Sequence, residues 1–283
     1  MSTAQNNVAL LVHSCDRYEL LYKGFSFFFS KYWDFSARCN YYFATEEKTV
    51  SIDHFENIRS GKGQWADRLV VLLNSIPEKY VLYFQEDMWL NKKVNGDFFN
   101  RLFEMAEAND WKLVKLHSSE VYTTVATGIF IEGFEIAKLD NQSSDFLMSH
   151  QVTLWNKEFL IRQLHRNEHP WRNERKGTAR LKKLNPEIFQ ADYFAENGKP
   201  PVNRNDNPVL RSEYQTVSMN STLSGNVAPY INELLHGDSN DRQYAMKLQH
   251  NYNNQLTHDG LQPARKVDVF KQAKTWVKKA FGK

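Results

Sequence analysis

Gln85, Glu86 and Asp87 stand directly after five unbroken apolar or aromatic residues, Tyr80 to Phe84, and apolar residues resume at Met88. Such a run suits a strand buried on both faces, as in a parallel sheet. Two adjacent carboxylates at the end of that strand are costly to desolvate unless a bound cation or a cationic side chain meets them. In open α/β sheets ligands occupy the crevice beyond the carboxyl ends of the strands. Mg2+ and Mn2+ are commonly held by one or two carboxylates together with substrate phosphates. Glu86 and Asp87 therefore read as a metal–diphosphate site. A solvated acidic turn, or a structural ion pair, accounts for the same residues.

The elements that must position this pair are legible around it. Val8 to Val12 is a first apolar strand, followed by the polar loop His13-Ser-Cys-Asp-Arg-Tyr18. Ser14 or Asp16 suits the cap of a helix over 18–33. A strand, a polar loop and a helix start is the geometry that receives nucleotides and phosphates, although neither the dinucleotide fingerprint nor the P-loop is present. Asn40 to Ala44 reads as a second strand, with a short strand around 50–52. Gly61-Lys-Gly-Gln-Trp-Ala-Asp-Arg-Leu69 opens a helix whose buried stripe is Leu69, Leu72, Leu73 and Ile76, stopped by Pro77. Gly61 and Gly63 allow close backbone approach to a ligand. Arg68 suits a diphosphate and Asp67 ribose hydroxyls; both also serve as ordinary charges on a helix face.

Downstream, 97–108 is an amphipathic helix, 112–116 a strand and 127–131 another. Strands alternating with helices predict an α/β domain with a mainly parallel mixed sheet. Ser149 to Trp155 leads into a helix over 156–164. Arg175 to Lys183 is strongly basic, either solvated surface or a surface that neutralises a phosphate-bearing acceptor. The stretch 196–241, rich in Asn, Pro, Gly and Ser, reads as loop-dominated. The tail Val267 to Phe281 sets apolar residues opposite lysines, the pattern of a helix lying on an anionic membrane or docked on the body. The division expected is 1–195 for the binding and catalytic domain and 196–283 for a loop-rich and helical C-terminal extension.

Composition excludes several classes. Among 283 residues, 41% are hydrophobic and 24% charged, as in a folded globular protein. A net charge of +3 argues against nucleic acid as partner. Cys15 and Cys39 make no disulfide framework and suggest a reducing compartment. The first seven residues lack a signal-peptide core, and no apolar run approaches the roughly 18 residues of a spanning helix. His165-Arg-Asn-Glu-His169 matches an inverted zinc-protease pattern, but Pro170 prevents the helix that pattern needs. There is no Gly-x-Ser-x-Gly elbow.

Taken together and in order, the first strand with His13–Tyr18, the helix start Trp65–Leu69, Val81–Asp87, and the pair Leu154-Trp155 and Pro170-Trp-Arg-Asn-Glu174 resemble nucleotide-sugar-dependent glycosyltransferases of the GT-A fold, of the kind that build bacterial capsule and lipopolysaccharide. The resemblance spans about residues 8–175. It implies a GT-A-like (Rossmann-like) fold and sugar transfer to a hydroxyl of a glycan or lipid-linked acceptor. It implies donor contacts from His13, Ser14, Asp16, Arg17, Trp65, Asp67, Arg68 and Glu86, and acceptor contacts from Trp155 and Trp171. Mn2+ or Mg2+ would sit on Asp87 and Glu86, although Gln85 replaces the first Asp of the family's Asp-x-Asp. Glu174 is the candidate base for the acceptor hydroxyl and His150 the reserve. The localisation implied is cytoplasmic, peripheral on the inner face of the plasma membrane. Two other classes remain: a non-catalytic carbohydrate-binding or assembly protein, and a sugar nucleotidyltransferase. The latter needs a Gly-rich, Lys-containing loop that His13–Tyr18 lacks.

Overall fold

The computed structural model describes residues 6–200 and 209–263. In chain order the strands are β1 (Val8–His13), β2 (Asn40–Thr45), β3 (Glu56–Arg59), β4 (Tyr80–Gln85), β5 (Met88–Leu90), β6 (Leu113–His117), β7 (Thr124–Val125), β8 (Phe130–Ile131), β9 (Phe134–Glu135), β10 (Ala137–Leu139), β11 (Thr153–Asn156), β12 (Phe189–Glu196), β13 (Ser212–Thr216), β14 (Ser218–Met219) and β15 (Thr222–Leu223). The helices are α1 (Tyr22–Tyr32), α2 (Trp65–Ser75), α3 (Gly96–Ala108), α4 (Lys157–Gln163), α5 (Pro170–Leu184), α6 (Ala228–Leu235) and α7 (Ser239–Asn253).

One mixed sheet organises them, in the order β3-β2-β1-β4-β11-β6-β12-β10-β7, with β13 beside β12 and β5 beside β13. β1, β2, β3 and β4 run parallel, as do β6, β12 and β13; β11 is antiparallel to both β4 and β6. The unbroken apolar run of β4 has the expected cause. Leu82 and Phe84 enter the core that holds Phe25, Phe28 and Phe29 of α1 and Phe98 and Leu102 of α3. Val81 and Tyr83 enter the opposite core, with Leu69, Leu72 and Leu73 of α2, Phe159 of α4 and Leu181 of α5. Successive side chains point to opposite faces, so a strand covered on both sides has to be apolar throughout.

Several local expectations change. The helix after β1 starts as a 3-10 turn, Asp16–Leu21, with Cys15 at its head and no side-chain cap. Asp16 instead accepts from the backbone N–H groups of Glu46, Glu47 and Lys48 at 2.9–3.1 Å and so fixes the loop after β2. The strand expected around 50–52 lies at Glu56–Arg59, and the one expected over 127–131 shrinks to β8 in a hairpin with β9. The lead-in to α4 is a strand, β11. The basic run belongs to α5, begun by Pro170 in its first turn with His169 as cap, its ring accepting from Arg172 N–H at 3.3 Å.

The stretch read as loop-dominated carries β13, β14, β15 and α6. Its strand β13 pairs with β12 and β5, so the sheet continues past residue 196. Tyr230 and Leu234 of α6 and Tyr244 and Leu248 of α7 join the core of α1. Tyr230 donates to the carbonyl of buried Trp89 at 2.6 Å. The tail Val267 to Phe281 lies outside the described residues. No helix among the described residues is long and apolar enough to cross a membrane.

Candidate functional site

A cavity of about 760 Å³ opens at the carboxyl ends of β1 and β4. Register explains its lining. Parallel pairing sets His13 level with Gln85. Antiparallel β11 pairs Thr153 with Tyr83, so the residues before Thr153 run beside those after Tyr83. That delivers His150 and Gln151 to the acidic turn. Antiparallel pairing of Thr216 with Met88, and a hydrogen bond from Val217 N–H to the Asp87 carbonyl at 3.0 Å, bring in the wall formed by Thr216, Ser218, Met219 and Asn220. The first turns of α2 and α5 supply Trp65, Arg68, Trp171 and Glu174.

Glu86 is buried and Asp87 partly so. Burial raises both carboxyls above the usual range: Glu86 well above it, further raised by Asp87 and partly offset by Arg68, and Asp87 to about 7. Arg68 is buried, its guanidinium 3.1 Å from Glu46 and 3.4 Å from the carbonyl of Ser14. His13 shares a 3.1 Å hydrogen bond with the Tyr83 hydroxyl, and Trp65 lies between the His13 and His150 rings at centroid distances of 5.7 and 4.3 Å. Burial disfavours the charged form of both imidazoles. Burial holds His13 well below its ordinary value, helped by Arg68 and His150, and lowers His150 to about 3 with help from Lys115.

Glu174 accepts from the backbone N–H of His150 at 2.9 Å. Burial raises its carboxyl, with that hydrogen bond and Lys115 acting in the opposite sense. The approach of α5 that places Glu174 depends on Gly177, whose missing Cβ would stand 2.6 Å from Met148 Cγ. Behind the site lies a group that the sequence did not single out. Lys115, on the middle of β6, is fully buried, with Nζ 2.8 Å from Ser149 Oγ and 5.2 Å from the Tyr122 ring centroid. Burial lowers its pKa to about 7.

Five buried polar atoms on residues lining this cavity have no hydrogen-bond partner among the described residues: His13 Nε2, Arg68 Nε, Asp87 Oδ1, His150 Nε2 and Thr216 Oγ1. Unpartnered buried polar atoms are costly; five of the twelve such atoms among the described residues belong to the lining of this one cavity, where a ligand could meet them.

Of the residues expected at the site, His13, Ser14, Trp65, Arg68, Glu86, Asp87, His150, Trp171 and Glu174 line the cavity together. Ser14 does so with its hydroxyl already committed to the Ala44 carbonyl at 2.6 Å. Four do not line it. Asp16 braces the neighbouring loop. Arg17 is exposed and pairs with Asp259 at 3.1 Å. Asp67 faces the loop before α5, accepting from Asn167 N–H at 3.4 Å. Trp155 is 1% exposed and packs against Phe159 in the core. All four residues of β11 are buried, and Trp155 shares the core of Phe159 and Leu160 of α4 and Leu181 of α5. Gly61 takes a left-handed φ of +71°, a turn requirement, and neither it nor Gly63 lines the cavity. Cys15, Tyr18, Gln151, His169 and the 216–220 wall were not anticipated. The Glu168 of the zinc-like pattern is held by Arg180 at 2.9 Å.

For a divalent cation the donor set is two hard carboxylates, one with an unpartnered buried oxygen, which suits a cation that completes its shell with phosphate oxygens and water. Among the described residues no group of three His, Cys, Asp or Glu side chains converges to hold a metal by protein ligands alone.

No family model and no curated protein matches the chain. Among solved structures it is similar to residues 1–349 of TarS from S. aureus, at 12% identity over 96% of this chain and 78% of that one, with a TM-score of 0.47. The same fragment in complex with UDP matches at 13% identity over the same shares, with a TM-score of 0.46. A CMP-2-keto-3-deoxy-manno-octonic acid synthetase complexed with CTP matches at 11% identity over 64% of this chain and 88% of that one, with a TM-score of 0.37. At these values the likeness is one of outline, and no residue is carried across.

Proposed function

We propose that the chain is a glycosyltransferase of GT-A-like fold that moves a sugar from a nucleotide-sugar donor to a hydroxyl of a glycan or lipid-linked glycan. The supporting observation is the placement, around one cavity at the carboxyl end of a buried sheet, of an acidic pair, a buried arginine and a separate carboxylate on α5. Hydrolysis or transfer at an anomeric carbon passes through an oxocarbenium-like state while negative charge grows on the leaving diphosphate. Arg68 is placed to offset that charge. Glu86 and Asp87 would hold Mg2+ or Mn2+, which when bound neutralises the same diphosphate. His13 and Trp65 offer a hydrogen-bonding nitrogen and a ring face to the donor.

Glu174 is the base. It sits apart from the acidic pair, its pKa is raised by burial toward the range of an effective base, and one oxygen is oriented by the His150 N–H. Neutral His150 contributes a donor or acceptor nitrogen to the acceptor hydroxyl. Trp171, 67% exposed at the cavity mouth, offers a ring face on which an acceptor sugar stacks.

The test is a thermal-shift panel of nucleoside diphosphates with and without Mn2+, on the wild-type chain and on Asp87→Ala. Stabilisation by one nucleotide, lost in the variant, supports donor binding at this cavity. No stabilisation across the panel favours a non-catalytic carbohydrate-binding protein.

A further inference from the structure

α5 carries a second feature beside the cavity. Arg172, Arg175, Lys176, Ala179 and Lys183 are all exposed and recur at the three- and four-residue spacing that keeps side chains on one face. Asn173, Gly177 and Leu181 form the buried face opposite. Trp171 and Glu174, on the flank between, line the cavity. The stripe therefore begins at the cavity mouth and runs about 16 Å along the surface at 1.5 Å per residue.

Its cations are unpaired among the described residues. Arg180 and Lys182, on other sides of the helix, pair with Glu168 and Asp145. Arg172, Arg175, Lys176 and Lys183 make no ion pair or side-chain hydrogen bond among the described residues. Helix stability accounts for Lys183, in the last turn, but not for Arg172 at the other end. No acidic residue occupies the first turn of α5, and Arg172 stands there. A cation at that end opposes the helix dipole. An anion at the Arg172 end of the stripe gains from the guanidinium fork and from the dipole together, and Arg is the side chain that matches phosphate with two parallel hydrogen bonds.

We infer that the acceptor is a phosphate-bearing chain, whose phosphates lie along the Arg172–Lys183 stripe while its hydroxyl reaches Glu174 over Trp171. The inference rests on the transferase reading for the hydroxyl's fate, but the binding surface is tested apart from it. The probe is a short glycerol-phosphate oligomer, titrated calorimetrically at several salt concentrations. It is compared with an oligogalacturonate of equal charge, on wild-type protein and on the triple variant Arg172→Gln, Arg175→Gln, Lys176→Gln.

The expected result is salt-sensitive binding of the phosphate oligomer, weakened roughly tenfold or more in the variant, with the melting temperature and nucleotide-induced stabilisation of the variant unchanged. Equal affinity of wild type and variant overturns the stripe as the site. Equal or tighter binding of the carboxylate oligomer overturns phosphate as the ligand chemistry. Failure of nucleotide stabilisation in the wild type would instead remove the transferase reading and leave the titration to decide the stripe.

Discussion

The backbone N–H of His150 donates to Glu174 Oε1 at 2.9 Å, joining the segment that enters β11 to the first turns of α5. One contact thus fixes both candidate proton-handling groups against the same wall. It leaves the second carboxylate oxygen of Glu174 free for a substrate.

Glu174→Gln keeps an oxygen that accepts from His150 and removes the proton acceptor. Transfer is expected to fall by about 10²–10⁴-fold, with nucleotide-induced stabilisation and the melting temperature retained. Steady-state transfer assays beside thermal shifts measure this. A variant that transfers at the wild-type rate rules Glu174 out as base.

Asp87 has a folded pKa of about 7, raised by burial, against about 3.9 in an unfolded chain. The folded state therefore holds that proton more tightly. The ligand-free protein loses stability as pH rises from about 4 to about 7, and is stable to this effect below that window. Asp87→Asn should flatten the slope and raise the melting temperature at pH 8 by a few degrees, about 1 kcal/mol or more. Added Mn2+ should raise the wild type and not the variant. An unchanged pH–melting curve in Asp87→Asn contradicts the assignment.

Lys115 acts with the opposite sign in a different window. Its folded pKa of about 7 lies below the unfolded value near 10.4, so stability is lost as pH falls from about 10 to about 7. Lys115→Met should remove that slope. If Lys115 also holds the Ser149–His150 segment in place, the pH profile of transfer should shift as well. Denaturant midpoints between pH 7 and 10 read the first effect, and an unaltered slope refutes it.

Trp171 is exposed and, among the described residues, makes one ring contact, an edge-on approach to His169 at 6.3 Å between centroids. Trp171→Ala should therefore change stability by less than about 0.5 kcal/mol. It should raise KM for the acceptor while leaving nucleotide-induced stabilisation intact. An unchanged acceptor KM would show that no sugar stacks there.

The sequence determined the α/β class, the buried strand Tyr80–Phe84 and the carboxylates that end it, because burial on both faces writes a continuous apolar run and its abrupt stop is local. It also marked α2 through its apolar stripe and singled out Trp171 and Glu174 as site candidates, while the helix α5 that carries them is a finding of the structure. Only the tertiary structure decided which polar residues meet. Asp16, Arg17 and Asp67 have the same chemistry as residues of the cavity, but their partners, Lys48, Asp259 and Asn167, come from other segments. Trp155 went to the core because α4 and α5 cover its face of the sheet. The wall 216–220 was invisible for the same reason: strand register, β11 against β4 and β13 against β5, joins residues some 70 to 130 positions apart; the buried Lys115 reaches Ser149 through the pairing of β6 with β11. No local pattern encodes that pairing.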